Sequence, residues 1–135
     1  WNIGRTLWNS FVVALFTVLI SIPFSTLAAY AFSRFEMRFK RGLFFAILAT
    51  QFIPAVVVVL PFYLLFRDLG LLDTYLALVV VNLAIVTPFA TWMLKGFLDA
   101  VPTESEEAAL VDGATRLRVI LDVVVPMVWP GVLVA

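Results

Sequence analysis

TYLALVVVNLAIVTPFATWML, residues 74–94, is a run of 21 residues without a charged side chain, closed by Asp73 on one side and Lys95 on the other. The hydrocarbon core of a bilayer is about 30 Å thick and takes about 20 residues of helix to cross. No water is available there to pair backbone N–H and C=O groups, so a run of this length is predicted to be a helix. Two runs of the same kind precede it, at 11–32 and 42–66, and a fourth begins near Val119 and reaches Ala135. The pattern predicts an all-α membrane protein, a polytopic transmembrane helical bundle with three spans and the start of a fourth. A membrane β-barrel would show segments of roughly ten residues alternating in polarity, and none of the runs does. The run at 11–32 is too long for a signal peptide and lacks the basic start and small-residue cleavage site of one.

Composition agrees. Of the 135 residues, 64% are hydrophobic and 13% charged, against roughly half and a quarter in a soluble domain. Nine basic and nine acidic residues balance, so global charge gives no reason to expect a nucleic-acid partner. There is no cysteine and no histidine, which removes disulfides, thiolate metal sites and the usual neutral-pH proton carrier. No charged residue lies inside the three complete runs, so no catalytic residue, metal site or cofactor site is predicted. The first residue is Trp1 and the last apolar stretch holds thirteen residues after Asp122. That is about 20 Å of helix, short of a full span. The parent protein is therefore expected to continue past Ala135 and to begin before Trp1.

Lysine and arginine set the orientation. Arg34, Arg38, Lys40 and Arg41 lie between the first and second runs, and Lys95, Arg116 and Arg118 between the third and fourth. Arg5 and Arg67 are on the opposite side. Seven against two is a positive-inside bias. It places the 34–41 loop and the 102–118 loop in the cytoplasm, and 67–73 outside.

Within the runs, Ser21, Ser25, Ala29 and Ser33 recur at a period of four, a seam that lets a second helix approach closely. Pro54, Pro61 and Pro88 remove backbone donors and clash with the preceding turn, so kinks are predicted in the second and third spans. Thr50, Gln51, Asn82, Thr87 and Thr91 are the polar residues inside the second and third runs. Asn82, Thr87 and Thr91 are the candidates for lining a substrate path, because an amide exposed to lipid is costly and should face protein or water.

Residues 102–118 hold most of the remaining information. Thr103 followed by Glu106 forms a capping-box pattern, and Glu104, Glu106 and Glu107 place negative charge at the positive end of a helix dipole. Ala108, Ala109 and Leu110 favour helix, and Gly113 supplies a stop. Thr115 can cap a second helix that carries Arg116 and Arg118 into the fourth run. The short helix over 104–113 offers small side chains at Ala108 and Ala109 that would fit a groove, with carboxylates at Glu107 and Asp112 for ion pairs at its rim. After Gly113 and nine intervening residues stands Val123-x-Val125-Pro126.

Glu107-Ala108-Ala109, Gly113 and Val123-x-Val125-Pro126 together resemble the E-A-A-x3-G-x9-I-x-L-P signature of ABC importer permeases. Val123 and Val125 depart from the usual Ile and Leu, both apolar exchanges. The wider chain is similar to the permeases of carbohydrate-type importers, in particular the smaller permease of a maltose-type pair: Asn9-Ser10, Ala28-Ala29-Tyr30-Ala31-Phe32-Ser33-Arg34, Gly70-Leu71-Leu72-Asp73-Thr74 and Pro102-x4-Glu107-Ala108-Ala109-x2-Asp112-Gly113-Ala114-Thr115 all carry the likeness. The resemblance implies a type I permease domain in a bacterial or archaeal cytoplasmic membrane, paired with a second permease and served by an extracytoplasmic solute-binding protein. It also implies ABC ATPase subunits docked through Glu107, Ala108, Ala109, Leu110, Asp112 and Gly113. No G-x-x-x-x-G-K-[ST] phosphate loop occurs, so the chain itself is expected to be non-catalytic. A sugar or oligosaccharide is the expected solute. A polyamine, peptide or phosphate permease is the alternative, with an ion-coupled transporter acting alone further behind, since that class uses intramembrane carboxylates.

Overall fold

The computed structural model describes residues 2–134. Among them there are helices and turns and no strand. The first long helix, α1 (Ile3–Arg34), and α4 (Tyr75–Ala100) are each long and apolar enough to cross a bilayer.

The second run differs from its prediction as one kinked span. It divides into α2 (Lys40–Ala49), a 3-10 turn over Thr50–Phe52 and α3 (Ala55–Asp68). The pieces Lys40–Phe52 and Val56–Asp68 meet at 93°, the geometry of a broken span or a re-entrant loop. Pro54 is the cause. The residue before a proline is pushed out of the helical region, and Ile53 is extended, with ψ 119°. Gln51 anchors the break, its Nε2 donating to the Ile85 carbonyl of α4 at 3.0 Å. Pro61 and Pro88 are instead carried inside α3 and α4.

The turn from α3 to α4 is built from its sequence. Gly70 takes φ 68°, and the Gly70 and Leu71 amides donate to the Arg67 and Phe66 carbonyls at 3.1 and 2.8 Å. This is the paired ending of a Schellman motif. Asp73 also adopts positive φ. Thr74 then caps α4, accepting from the Ala77 amide at 3.2 Å.

Helices α1 and α4 run side by side and parallel. At one end the Tyr75 hydroxyl donates to Asn9 Oδ1 at 2.7 Å, and at the other Ser33 Oγ donates to Asp99 Oδ1 at 2.7 Å. Both pairs are 66 residues apart in sequence, so the two helices keep step over their length. Between them Ser21, Ser25 and Ala29 are buried. Ser25 Oγ donates to the Thr87 carbonyl at 3.2 Å. The period-four seam is thus the contact face of this pair.

After α5 (Glu104–Val111) the chain rises again through α6 (Arg116–Val119), a π-helical turn over Ile120–Val124 and α7 (Val125–Val134). A proline ring clashes with the carbonyl four residues back. The wide turn sits immediately before Pro126, where such a clash would fall on Asp122. The hydrophobic core gathers at the end of the bundle nearest α5: Ala29 and Tyr30 of α1, Leu94 and Leu98 of α4, and Val119, Ile120, Val124 and Val128 of the last segment. Elsewhere large apolar side chains such as Trp8, Phe24, Phe45, Val56 and Leu133 are exposed.

Close approach of α7 to α4 depends on Gly131. A Cβ placed there would lie 2.5 Å from Phe97 Cδ2 and 2.6 Å from Cγ. Gly131→Leu is expected to destabilise the packed bundle by about 1–3 kcal/mol through overpacking, read as a lower melting temperature in detergent. Adding Phe97→Ala should recover most of the loss; no recovery would show that the ring contact is not the cause.

Candidate functional site

Eight residues, Glu104–Val111, form α5. A helix this short is marginal by itself, so its position is set by what surrounds it. Its C-terminus is closed as the sequence predicts. Gly113 has φ 87°, its amide donates to the Leu110 carbonyl at 3.1 Å, and the Ala114 amide donates to the Ala109 carbonyl at 3.0 Å. That is a second Schellman ending. Ala109 and Ala114 complete it by packing against the core cluster. Thr115 caps the following helix, accepting from the Arg118 amide at 3.4 Å.

The N-terminus departs from the predicted capping box. Thr103 is itself in a helical conformation and its side chain makes no cap bond. Glu106 does not turn back to the Thr103 amide; it is 5% exposed and paired with Arg34 at the end of α1. Arg34 Nε donates to Glu106 Oε1 at 2.8 Å, with Nη2 2.6 Å from the same oxygen. Nη2 also donates to the Val101 carbonyl at 3.0 Å and Nη1 to Ser33 Oγ at 3.2 Å. Either bond is charge-assisted through the carboxylate, but Arg34 adds an opposite charge and brings two nitrogens to the same oxygen, which the Thr103 amide cannot. Nearby, the Arg116 guanidinium lies over the Phe35 ring, 5.4 Å from its centroid.

Helical periodicity divides the candidate docking residues into two faces. Glu104, Glu107, Ala108, Val111 and Asp112, spaced three and four apart, are exposed along one side, and Gly113 is exposed at the turn. Ala109 and Leu110 are partly buried and face the core. Glu107, Ala108, Asp112 and Gly113 therefore share an accessible surface, whereas Ala109 and Leu110 hold the helix down. Val111 had not been singled out from the sequence, yet it is 87% exposed. Its position seven residues after Glu104 was the available signal.

The three candidate path residues do not converge. Thr91 is buried and its hydroxyl donates to the Thr87 carbonyl at 2.8 Å. Thr87 is half-buried, its carbonyl shared with Ser25. Asn82 is exposed, with Nδ2 donating to the Leu78 carbonyl at 2.8 Å. It opens instead on a cleft of about 480 Å³ between α1 and α4, together with Asn9, Ser10 and Thr17. The Thr17 hydroxyl is buried there without a hydrogen-bond partner.

Paired long helices, a proline-broken segment and a short two-faced helix on a connecting loop make an all-helical membrane-protein fold among the described residues. The chain belongs to the family of binding-protein-dependent transport system inner membrane components, whose profile matches residues 21–135. It is 36% identical over 129 residues to the sulfoquinovosyl glycerol transport system permease protein of Agrobacterium fabrum, covering 96% of this chain and 45% of that one. It is 34% identical over 122 residues to the maltodextrin transport system permease protein of Bacillus subtilis, covering 90% and 44%. Among solved structures it resembles a bacterial ABC transporter involved in the import of the acidic polysaccharide alginate, with a TM-score of 0.78 and 30% identity over 93% of this chain and 44% of that one. The chain thus spans about half the length of the curated relatives it matches.

At Gly113 no atom lies within 4 Å of an added Cβ, so a substitution there is opposed by backbone strain alone. Gly113→Ala should cost about 1–2 kcal/mol of local stability and Gly113→Asn less, since asparagine tolerates the left-handed region. Hydrogen exchange at Gly113 and Ala114 measures it. Equal protection in the parent and the alanine variant would refute the strained-turn account.

Proposed function

We propose that the chain is the non-catalytic transmembrane subunit of an ATP-driven, binding-protein-dependent importer that carries a sugar or oligosaccharide. The observation that carries this is the exposed stripe Glu104, Glu107, Ala108, Val111, Asp112 on a short helix, set outside a family-typical helical bundle. It has the two halves a docking element needs: an outer face of small and acidic residues free for a partner, and an inner face tied to the spans. The partner is a cytoplasmic ABC ATPase, with Glu107 and Asp112 meeting basic residues at the rim of its groove and Val111 supplying apolar contact. A second permease and an extracytoplasmic binding protein complete the system. The sugar assignment rests on relatives whose names specify sulfoquinovosyl glycerol and maltodextrin, and on the alginate importer. Asn82, beside Asn9 and Ser10, is the candidate contact for a hydroxyl-rich solute; Thr87 and Thr91 serve helix packing.

Glu107→Lys and Gly113→Asp should insert normally, because the spans are untouched. Both should reduce co-purification with the ATPase and abolish solute-stimulated hydrolysis in reconstituted vesicles. Parent-like assembly and transport by both variants would make the loop a mere connector.

Sidedness is tested separately in intact cells. Cysteines at Lys40 and Thr103 should be shielded from an impermeant thiol reagent and one at Asp73 should react. Labelling of Thr103 from outside would refute both the orientation and the docking assignment.

A further inference from the structure

Among the described residues of α5, Glu106 alone is buried. The helix rests on the bundle through one carboxylate, with only the partly buried Ala109 and Leu110 as apolar support. Its partner, Arg34, belongs to α1, and the same guanidinium reaches the Val101 carbonyl at the end of α4. Ser33, which accepts from Arg34, is bonded in turn to Asp99, and Asp99 pairs with Lys95. One side chain therefore joins the ends of α1, α4 and α5.

We propose that Arg34 is a positioning residue for energy coupling: through Glu106 it makes α5 and the ends of α1 and α4 a single strut, so that displacement of α5 by a docked ATPase moves the two parallel spans with it. The proposal rests on the docking assignment above, but concerns a different pair of residues on the opposite face of α5. A guanidinium suits the task because its planar fork holds several acceptors at once in fixed directions; lysine would offer a point charge on a flexible stem. The two side chains are largely sheltered, at 12% and 6% exposure. Loss of either leaves the other charge buried without its partner, which is strongly unfavourable, and the carboxylate regains water only if α5 lifts from the bundle.

The test uses the complete permease, assembled with its partners and reconstituted in vesicles. Arg34→Ala, Glu106→Ala and the double variant are compared for solute transported per ATP hydrolysed. Spin labels at the exposed positions Met37 and Ser105, the latter outside the docking stripe, report the distance between the end of α1 and α5. Each single variant should still co-purify with the ATPase, since Glu107, Ala108 and Val111 are unchanged. Transport per ATP should fall by about tenfold or more, as expected for a buried charge left without its partner. The label distances should spread. Groups acting as one unit are non-additive, so the double variant should be no worse than either single one. If the alanine variants fail to accumulate, Arg34→Lys is read instead. It keeps the charge but cannot hold Glu106 and Val101 together, so reduced transport per ATP with retained hydrolysis is expected. Parent-like transport per ATP in Arg34→Ala, or in Arg34→Lys where that is the variant read, overturns the proposal, as do losses that simply add in the double variant. If Glu107→Lys and Gly113→Asp abolish coupling while Arg34→Ala does not, the strut fails and the docking assignment stands. If all of them behave as the parent, both fail.

Discussion

The close parallel packing of α1 against α4 is the contact to which the rest of the structure is attached. Lipid tails are as apolar as leucine, so in a membrane two helices gain little by burying apolar surface together; they gain from close van der Waals fit and from hydrogen bonds between them. The seam of Ser21, Ser25 and Ala29 meets that requirement, with side chains small enough to let the backbones approach and a Ser25 hydroxyl that reaches the Thr87 carbonyl. Parallel neighbours in a membrane need the chain to return between them. The segment 40–68 makes that return, and α5 with α6 then turns the chain back alongside the same pair. The hydrophobic core follows from this order, since it lies where α1, α4 and the last segment converge.

Much of this is legible in the sequence. Length and apolarity of the runs at 11–32 and 74–94 depend on bilayer thickness alone; α1 contains the first in full and α4 all of the second but its cap, Thr74. Gly113 was readable as a stop because positive φ excludes most other residues, and it closes α5; Gly70 closes α3 in the same way. Pro54 was readable as a disturbance but not as a break. Prolines at 61 and 88 lie inside helices, and what separates the three is tertiary: Gln51 reaches Ile85 and stabilises the broken form. A string of residues does not contain that contact.

Glu106 is the instructive miss. Thr103 and Glu106 have the spacing of a capping box, and local rules assign them to each other. The carboxylate goes instead to Arg34, 72 residues away in sequence. Local preference loses because a neutral amide offers a weaker bond than a buried guanidinium. The candidate docking set divides by burial for a related reason: Ala109 and Leu110 stand beside Glu107 and Ala108 in sequence, whereas a helix sorts residues by angle. Counting from Glu104 in steps of three and four selects 107, 108, 111 and 112, all exposed; of the rest, 106, 109 and 110 turn to the bundle and Ser105 stays exposed.

On the proposed function, that division lets one eight-residue helix serve two partners with opposite demands. A surface that receives a soluble subunit must be small, polar at its edges and free; a surface that transmits force must be fixed. A purely apolar inner face on α5 would have to be larger than Ala109 and Leu110 provide, and a longer helix would no longer fit between Pro102 and Gly113. An ion pair secures the helix with one side chain and leaves the opposite face clear. It also gives direction. Apolar contact permits sliding, but a guanidinium bonded at once to Glu106, Val101 and Ser33 resists displacement along several axes. On the proposed function, a shift imposed on the Glu107 face therefore reaches α1 and α4 together. Because those helices keep step along their whole length, it has a path to the cleft beside Asn82 at their far end.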